Sequence, residues 1–256
     1  MARDIHQAVR DVCLWLPESE EFLSHGAPTF RVRGKTFASY ALNHHGDGRV
    51  ALWLNAPSGS QELHVLAEPK HFFVPPYVGP RGWLGVVLDR GLSWKRIAAL
   101  VREAYDKVAP ADLRAQIGKT PAFSAPVKAL SASQIDPLKS PRALAVLKRL
   151  RGVCLALPET GESSQFGCPV WQAGKRTFAL ARSDDGRLLL HFWVGVEQQG
   201  LMVGDPRYEI PPFMGHNGWI ALDVSSDCDW DEVAGLALNS YRHFALKRML
   251  VRLPPT

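Results

Sequence analysis

Internal repetition limits what this chain can fold into more than any other feature of its sequence. The segment VCLWLPE at Val12–Glu18 returns as VCLALPE at Val153–Glu159. Thr36-Phe37-Ala38 returns as Thr177-Phe178-Ala179, and Asp47-Gly48-Arg49 as Asp185-Gly186-Arg187. PPYVGPRGW at Pro75–Trp83 pairs with PPFMGHNGW at Pro211–Trp219. In both copies a second tryptophan follows eleven residues later (Trp94, Trp230), and a tyrosine eleven after that (Tyr105, Tyr241). The offset drifts from 141 to 136, so the second copy is shorter, with losses near Asn43–Gly48 and Ala56–Gln61. Loops tolerate such losses. Two copies of one supersecondary plan are therefore expected, each collapsing on its own core.

One copy reads as follows. Ile5, Val9, Val12 and Leu16 recur at helical spacing, as do Leu144, Leu147, Leu150, Cys154 and Leu157 in the second copy. Ser140-Pro141 supplies a cap and a first-turn proline, and Pro17 and Pro158 stop the two helices. Strands follow at Phe30–Arg33, Lys35–Leu42 and Gly48–Ala56, and at Lys175–Ala181 and Arg187–Val196 in the second copy. Short helices are predicted near Gln61–Ala67 and Gln198–Val203, then two more strands around the PPxxGxxGW segments. Each copy closes with a helix, capped by Ser93 in one and by Asp229 with Glu232 as a capping box in the other. The expected class is α+β: tandem repeats of helix, about five antiparallel strands, helix, with helices against one sheet face. Boundaries fall at residues 1–110 for copy one, 111–140 for a Pro/Ala-rich linker with a short helix at Ala111–Ile117, and 141–256 for copy two.

Charge and cysteine usage narrow the function classes. Residues 1–118 carry 14 basic against 12 acidic side chains, 119–142 carry four against one, and 143–256 balance at 12 against 12. A nucleic-acid binder concentrates positive charge on one face, and here the bias sits in copy one and the linker. Cys13, Cys154, Cys168 and Cys228 form no CxxC pair, so a zinc site is not expected and reduced, core-type thiols are. No apolar run reaches the ~20 residues a membrane span needs, and the N-terminal segment lacks the pattern of a signal peptide. A cytoplasmic protein without cofactor or metal is the expectation.

The ordered set Leu-Pro-Glu, then Gly-x-Pro-x-Phe/Trp (Gly26–Phe30, Gly167–Trp171), then Lys/Arg-Thr-Phe-Ala (Lys35–Ala38, Arg176–Ala179), then Gly-Trp, a second Trp and Ala/Ser-Tyr, resembles the YjbR/MmcQ family in each copy. The resemblance implies a compact α+β domain similar to the frataxin-like topology, here duplicated. Members are commonly labelled DNA-binding, so it also implies nucleic acid as ligand. It carries no catalytic residues. Both copies depart from the family at the position before the tryptophan, where many members have a basic residue or histidine and this chain has Gly82 and Gly218.

Three residue sets are candidates. The first is a basic surface of Arg31, Arg33 and Lys35, with Arg81, Lys95 and Arg96 flanking it, beside Tyr77 and Trp83 as stacking aromatics. Against it stands a solvated strand face, because Arg31 and Arg81 correspond to Gln172 and Asn217 in the second copy. The second set is the PPxxGxxGW segment, with Tyr77, Trp83, Phe213 and Trp219 as ligand-facing aromatics; the competing reading is a structural corner around a buried Trp. The third is histidine: His25, His44 and His45 in one copy, His191, His216 and His243 in the other, without metal-ligand spacing. The functional expectation is a non-enzymatic binding module with nucleic acid as its named ligand. The alternative is a protein-interaction or small-ligand module using the sheet face or the groove between copies, motivated by the two apolar faces of Leu188–Val194, Trp193 included.

Overall fold

The computed structural model describes residues 4–226 and 228–254. The chain divides into two units at Ser131/Ala132, with the short His45–Asp47 segment grouping with the second.

The first unit opens with α1 (Ile5–Leu14), capped by the Asp4 carboxylate, which accepts from the Gln7 amide at 2.8 Å. Its inward stripe is Ile5, Ala8, Val9, Val12 and Cys13. There follow β1 (Ser19–Ser24), β2 (Ala27–Val32), β3 (Lys35–Leu42), β4 (Val50–Leu54), α2 (Ser60–Ala67), β5 (Phe72–Phe73), β6 (Leu84–Val87), α3 (Trp94–Val108) and α4 (Ala111–Gln116). The strands form one antiparallel sheet in the order β1-β2-β3-β4-β6-β5. α3, capped by Ser93, lies against β3 and packs beside α1. On the opposite sheet face Ala41, Ala51, Trp53, Phe73 and Val87 form a smaller apolar cluster, joined by Val78 and Trp83.

The second unit repeats the plan. It begins with the short α5 (Ala132–Ile135), then α6 (Pro141–Leu155), β7 (Thr160–Gln165), β8 (Cys168–Ala173), β9 (Arg176–Asp184) and β10 (Arg187–Trp193). It continues with α7 (Val196–Met202), β11 (Tyr208–Glu209), β12 (Trp219–Asp223), α8 (Trp230–Phe244) and α9 (Lys247–Leu250). The sheet order is β7-β8-β9-β10-β12-β11, the same topology. A single core built only from residues of this unit joins Leu147, Leu150 and Cys154 of α6 to Trp171, Phe178, Leu190 and Phe192 of the sheet and Val233, Ala237 and Tyr241 of α8.

The backbone repeats in detail as well. Non-glycine residues with left-handed φ recur at matching positions: Glu18 and Glu159 at 50°, His25 and Phe166 at 51°, Tyr77 at 63° and Phe213 at 66°. The shared tyrosine explains two motifs together. The Tyr105 hydroxyl donates to the Pro17 carbonyl at 2.7 Å, and that of Tyr241 to the Pro158 carbonyl at 2.8 Å. Each ring meets Phe37 or Phe178 edge-on at 5.5 Å between centroids. One residue thus staples the closing helix to the Leu-Pro-Glu turn and to the Thr-Phe-Ala strand.

Two details differ from the sequence expectation. Each sheet has six strands, because β1 and β7 are not visible in the pattern: SEEFLS and TGESSQ lie on an edge with no fully buried side chain, so no apolar alternation marks them. At α8 the Asp229 cap is present, accepting from the Asp231 amide at 2.9 Å. Glu232 does not complete a box, since its carboxylate instead receives Arg207 at 2.7 Å and the Tyr208 hydroxyl at 2.6 Å.

Candidate functional site

The two PPxxGxxGW segments fold alike, and their shape follows from their prolines and glycines. In copy one the Gly79 amide donates to the Pro75 carbonyl at 2.9 Å, and the Val78 amide to the Pro76 carbonyl at 2.7 Å. In copy two Gly215 bonds Pro211 at 2.9 Å and Met214 bonds Pro212 at 2.9 Å. A bond from residue i+2 back to residue i defines a γ-turn, and positive φ at its centre makes it the rare, strained kind. The residue at that centre is Tyr77 in one copy and Phe213 in the other. A short 3-10 turn follows at Gly79–Arg81 and Gly215–Asn217, closed by Gly82 and Gly218 at φ 80° and 82°. The left-handed closing position accounts for the departure before each Trp, since glycine adopts it without steric cost. At Gly79 a Cβ would sit 2.5 Å from a methyl of the Val74 side chain, so any larger residue there displaces Val74.

A glutamine on the neighbouring helix holds each loop. The Gln61 carboxamide, at the start of α2, donates to the Gly79 carbonyl at 2.9 Å and the Trp83 carbonyl at 2.5 Å. Gln199 on α7 donates to Gly215 and Trp219 at 2.9 and 2.6 Å, and is buried. Sequence reasoning missed this pair. The available signal was identity at a constant offset: Gln61 and Gln199 are 138 apart, as are Arg49 and Arg187.

The loop and helix present apolar side chains outward. Tyr77 is 66% exposed and Phe213 88%, while Val74 and Ile210 are each 53% exposed. Leu63 and Leu66 stand outward on α2, and Leu201 and Val203 at the matching place on and just after α7. The two tryptophans do not share this exposure. Trp83 is half-buried against the Ala41–Phe73 cluster, and Trp219 is buried beside Phe244 at 5.7 Å.

The basic residues are dispersed. Arg31 on β2 bonds Glu20 at 2.7 Å and lies 4.5 Å over the Phe22 ring. Arg33 forms a bidentate pair with Glu18 at 2.8 and 3.0 Å and also reaches Asp112 at 3.1 Å. Arg96 forms another with Glu68 at 2.9 and 2.6 Å, which together with His71 holds that carboxyl down at about 2. Lys35, Arg81 and Lys95 are exposed and make no ion pair among the described residues. β2 stands three strands from β6, about 14 Å at ordinary strand spacing, so Arg31 and Arg33 lie apart from the turn that carries Arg81.

The remaining chemistry is muted. Cys13 and Cys154 are fully buried and burial raises both thiols, which keeps them protonated and inert. The histidines do not converge: His44 packs on Trp53, His243 stacks on Trp193 at 3.5 Å, and His191 is buried in β10. Among the described residues no group of three or more His, Cys, Asp or Glu could hold a metal ion. Trp193, the main support for a sheet-face interaction, is half-buried within its own unit, with His243 over its ring and its N–H donating to the Asn217 carbonyl at 2.9 Å. No helix among the described residues is long and apolar enough to cross a membrane.

Fold and loop together define a class: a tandem α+β repeat protein whose two domains present the same strained, aromatic-tipped loop. The YjbR family model matches residues 14–107 and 155–243, and the chain belongs to that family, as a duplication of its domain. No curated protein and no solved structure matches the chain.

Proposed function

We propose that the chain is a non-enzymatic protein-binding module whose recognition elements are the two PPxxG loops with α2 and α7. One observation carries this reading: a large aromatic residue held at left-handed φ, exposed to solvent, at the same place in both copies. Strain of this kind costs of order 1–3 kcal/mol and persists where surrounding structure enforces it for use. The aliphatic surroundings favour a protein over a nucleic acid. Val74 and Ile210 adjoin the loops in sequence and are half exposed, Leu63 and Leu66 on α2 and Leu201 and Val203 at α7 add further exposed aliphatic surface, and aliphatic side chains offer phosphates nothing. Three of the six basic candidates spend their charge on carboxylates, and the second copy has Gln172 and Asn217 where the first has Arg31 and Arg81.

The test is affinity capture from the source cell, comparing the native chain with the double variant Tyr77→Ser/Phe213→Ser, alongside fluorescence anisotropy with mixed DNA and RNA at rising salt. The reading expects a discrete protein retained by the native chain and lost with the variant at unchanged melting temperature, with no salt-sensitive nucleic-acid affinity. Equal retention by the variant sinks it. Affinity that falls steeply with salt and is lost on Arg81→Ala/Lys95→Ala moves the function to nucleic acid instead.

A further inference from the structure

We propose that the second unit contains an anion pocket that takes a small phosphate-bearing molecule, at a place separate from the PPxxG loops. The pocket has a volume of about 320 Å³ and is walled by Ser140, Arg142, Ser183, Gly186, Arg187 and Ser225, with no carboxylate among its lining residues. That volume exceeds what a phosphate group alone needs and reaches the lower end of small-molecule sites, roughly 300 Å³.

Hydrogen-bond accounting sets the ligand class. The Ser140 hydroxyl oxygen already accepts from the Ala143 amide at 3.2 Å, and that of Ser225 from the Leu188 amide at 2.9 Å. Each O–H is left to donate. Arg142 is fixed by donating from one terminal nitrogen to the carbonyls of Val224, at 2.9 Å, and Ser226. Its other N–H groups and its full charge meet no carboxylate among the described residues. Arg187 is held by Glu209 at 2.6 and 3.3 Å, with Asp223 at 4.0 Å, so its charge is offset in place and Arg142 supplies the uncompensated one. A cavity rich in donors and poor in acceptors is completed by a group that only accepts. Phosphate, with several acceptor oxygens in a tetrahedral arrangement, matches donors arriving from α6, β10 and the segment after β12.

Among the described residues the first unit does not repeat the Arg187 and Ser225 arrangement. Arg49, the counterpart of Arg187, lies 4.2 Å over the Phe73 ring. Asp89 stands where the second copy has Ser225, and its charge would repel an anion.

Amide chemical shifts of the full chain, titrated with inorganic phosphate at constant ionic strength against a chloride control, test the proposal. Saturable shifts are expected at Arg142, Gly186, Arg187 and Ser225, and none at Arg49 or Asp89. Ser225→Asp, which installs the first copy's residue, is expected to weaken binding about tenfold or more, the loss that follows from removing a charge-assisted bond. Arg142→Gln is expected to do the same, and melting temperatures identify any variant that fails to fold. No saturable shift, identical behaviour with chloride, or full binding by both variants reduces the pocket to an adventitious ion only and overturns the proposal. A DNA oligonucleotide that shifts the same amides more tightly than phosphate overturns the small-molecule assignment.

Discussion

Individual residues in this chain are best understood by what they give up. Phe213 accepts left-handed backbone with almost full solvent exposure, and Tyr77 accepts it with partial exposure and an edge-on contact to His44 at 5.9 Å. Replacing either with glycine removes the backbone strain, and at Tyr77 it also gives up the His44 contact. Tyr77→Gly and Phe213→Gly are expected to leave stability unchanged or raise it by up to ~1 kcal/mol in urea unfolding, while weakening partner capture. A loss of 2 kcal/mol or more, on the scale of a core truncation, would mark the aromatics as packing residues. His191 makes the opposite exchange. Burial, with Arg182 adding repulsion, pushes its pKa down to about 4 from an ordinary 6.5. The unfolded chain then binds the proton more readily, so stability is full above pH 6.5 and falls as pH drops from there toward 4. The loss amounts to about 3 kcal/mol over that window, read as a falling urea midpoint between pH 7 and 4, and His191→Leu is expected to flatten it. A wild-type midpoint constant across that range contradicts this placement of the side chain.

At the scale of elements, each loop depends on one helix through one glutamine. Gln199→Leu strands two carbonyls in a buried setting, for an expected loss of about 2–4 kcal/mol, and Gln61→Leu, at a half-buried position, costs less. Equal and negligible effects would show that the loops hold their shape unaided. Helices, turns and central strands were legible in the sequence because caps, prolines and apolar periods announce them: Ser140-Pro141, Ser93 and Leu52 to Leu54 each sit where the pattern puts them. The edge strands β1 and β7 were not, because an edge strand with little burial leaves no periodic trace. The candidate site was half legible. The spacing singled out PPxxGxxGW, but which of its aromatics faces out depends on a γ-turn that no composition encodes. The basic residues were visible as residues, and their carboxylate partners Glu18, Glu20 and Glu68 were not, because strand pairing and the return of α3 bring them together.

For the whole molecule, duplication kept the scaffold and let the periphery diverge. The Tyr–Pro staple, the Gln–loop clamp and the strained aromatic are common to both units. The ion pairs after the closing helix have exchanged signs: Arg33 lies between Glu18 and Asp112 in one, and Glu159 between Arg248 and Arg252 in the other. The counterparts of Arg187 and Ser225, Arg49 over the Phe73 ring and Asp89, have diverged as well. Such divergence is tolerated only if each unit is stabilised by its own core. Native-state hydrogen exchange on the full chain carrying Phe178→Ala, a buried truncation worth about 3–5 kcal/mol, measures this directly. Protection is predicted to fall across residues 132–254 and to stay at the wild-type level across residues 4–44 and 48–131. A uniform fall in both ranges would show one shared core and contradict the account.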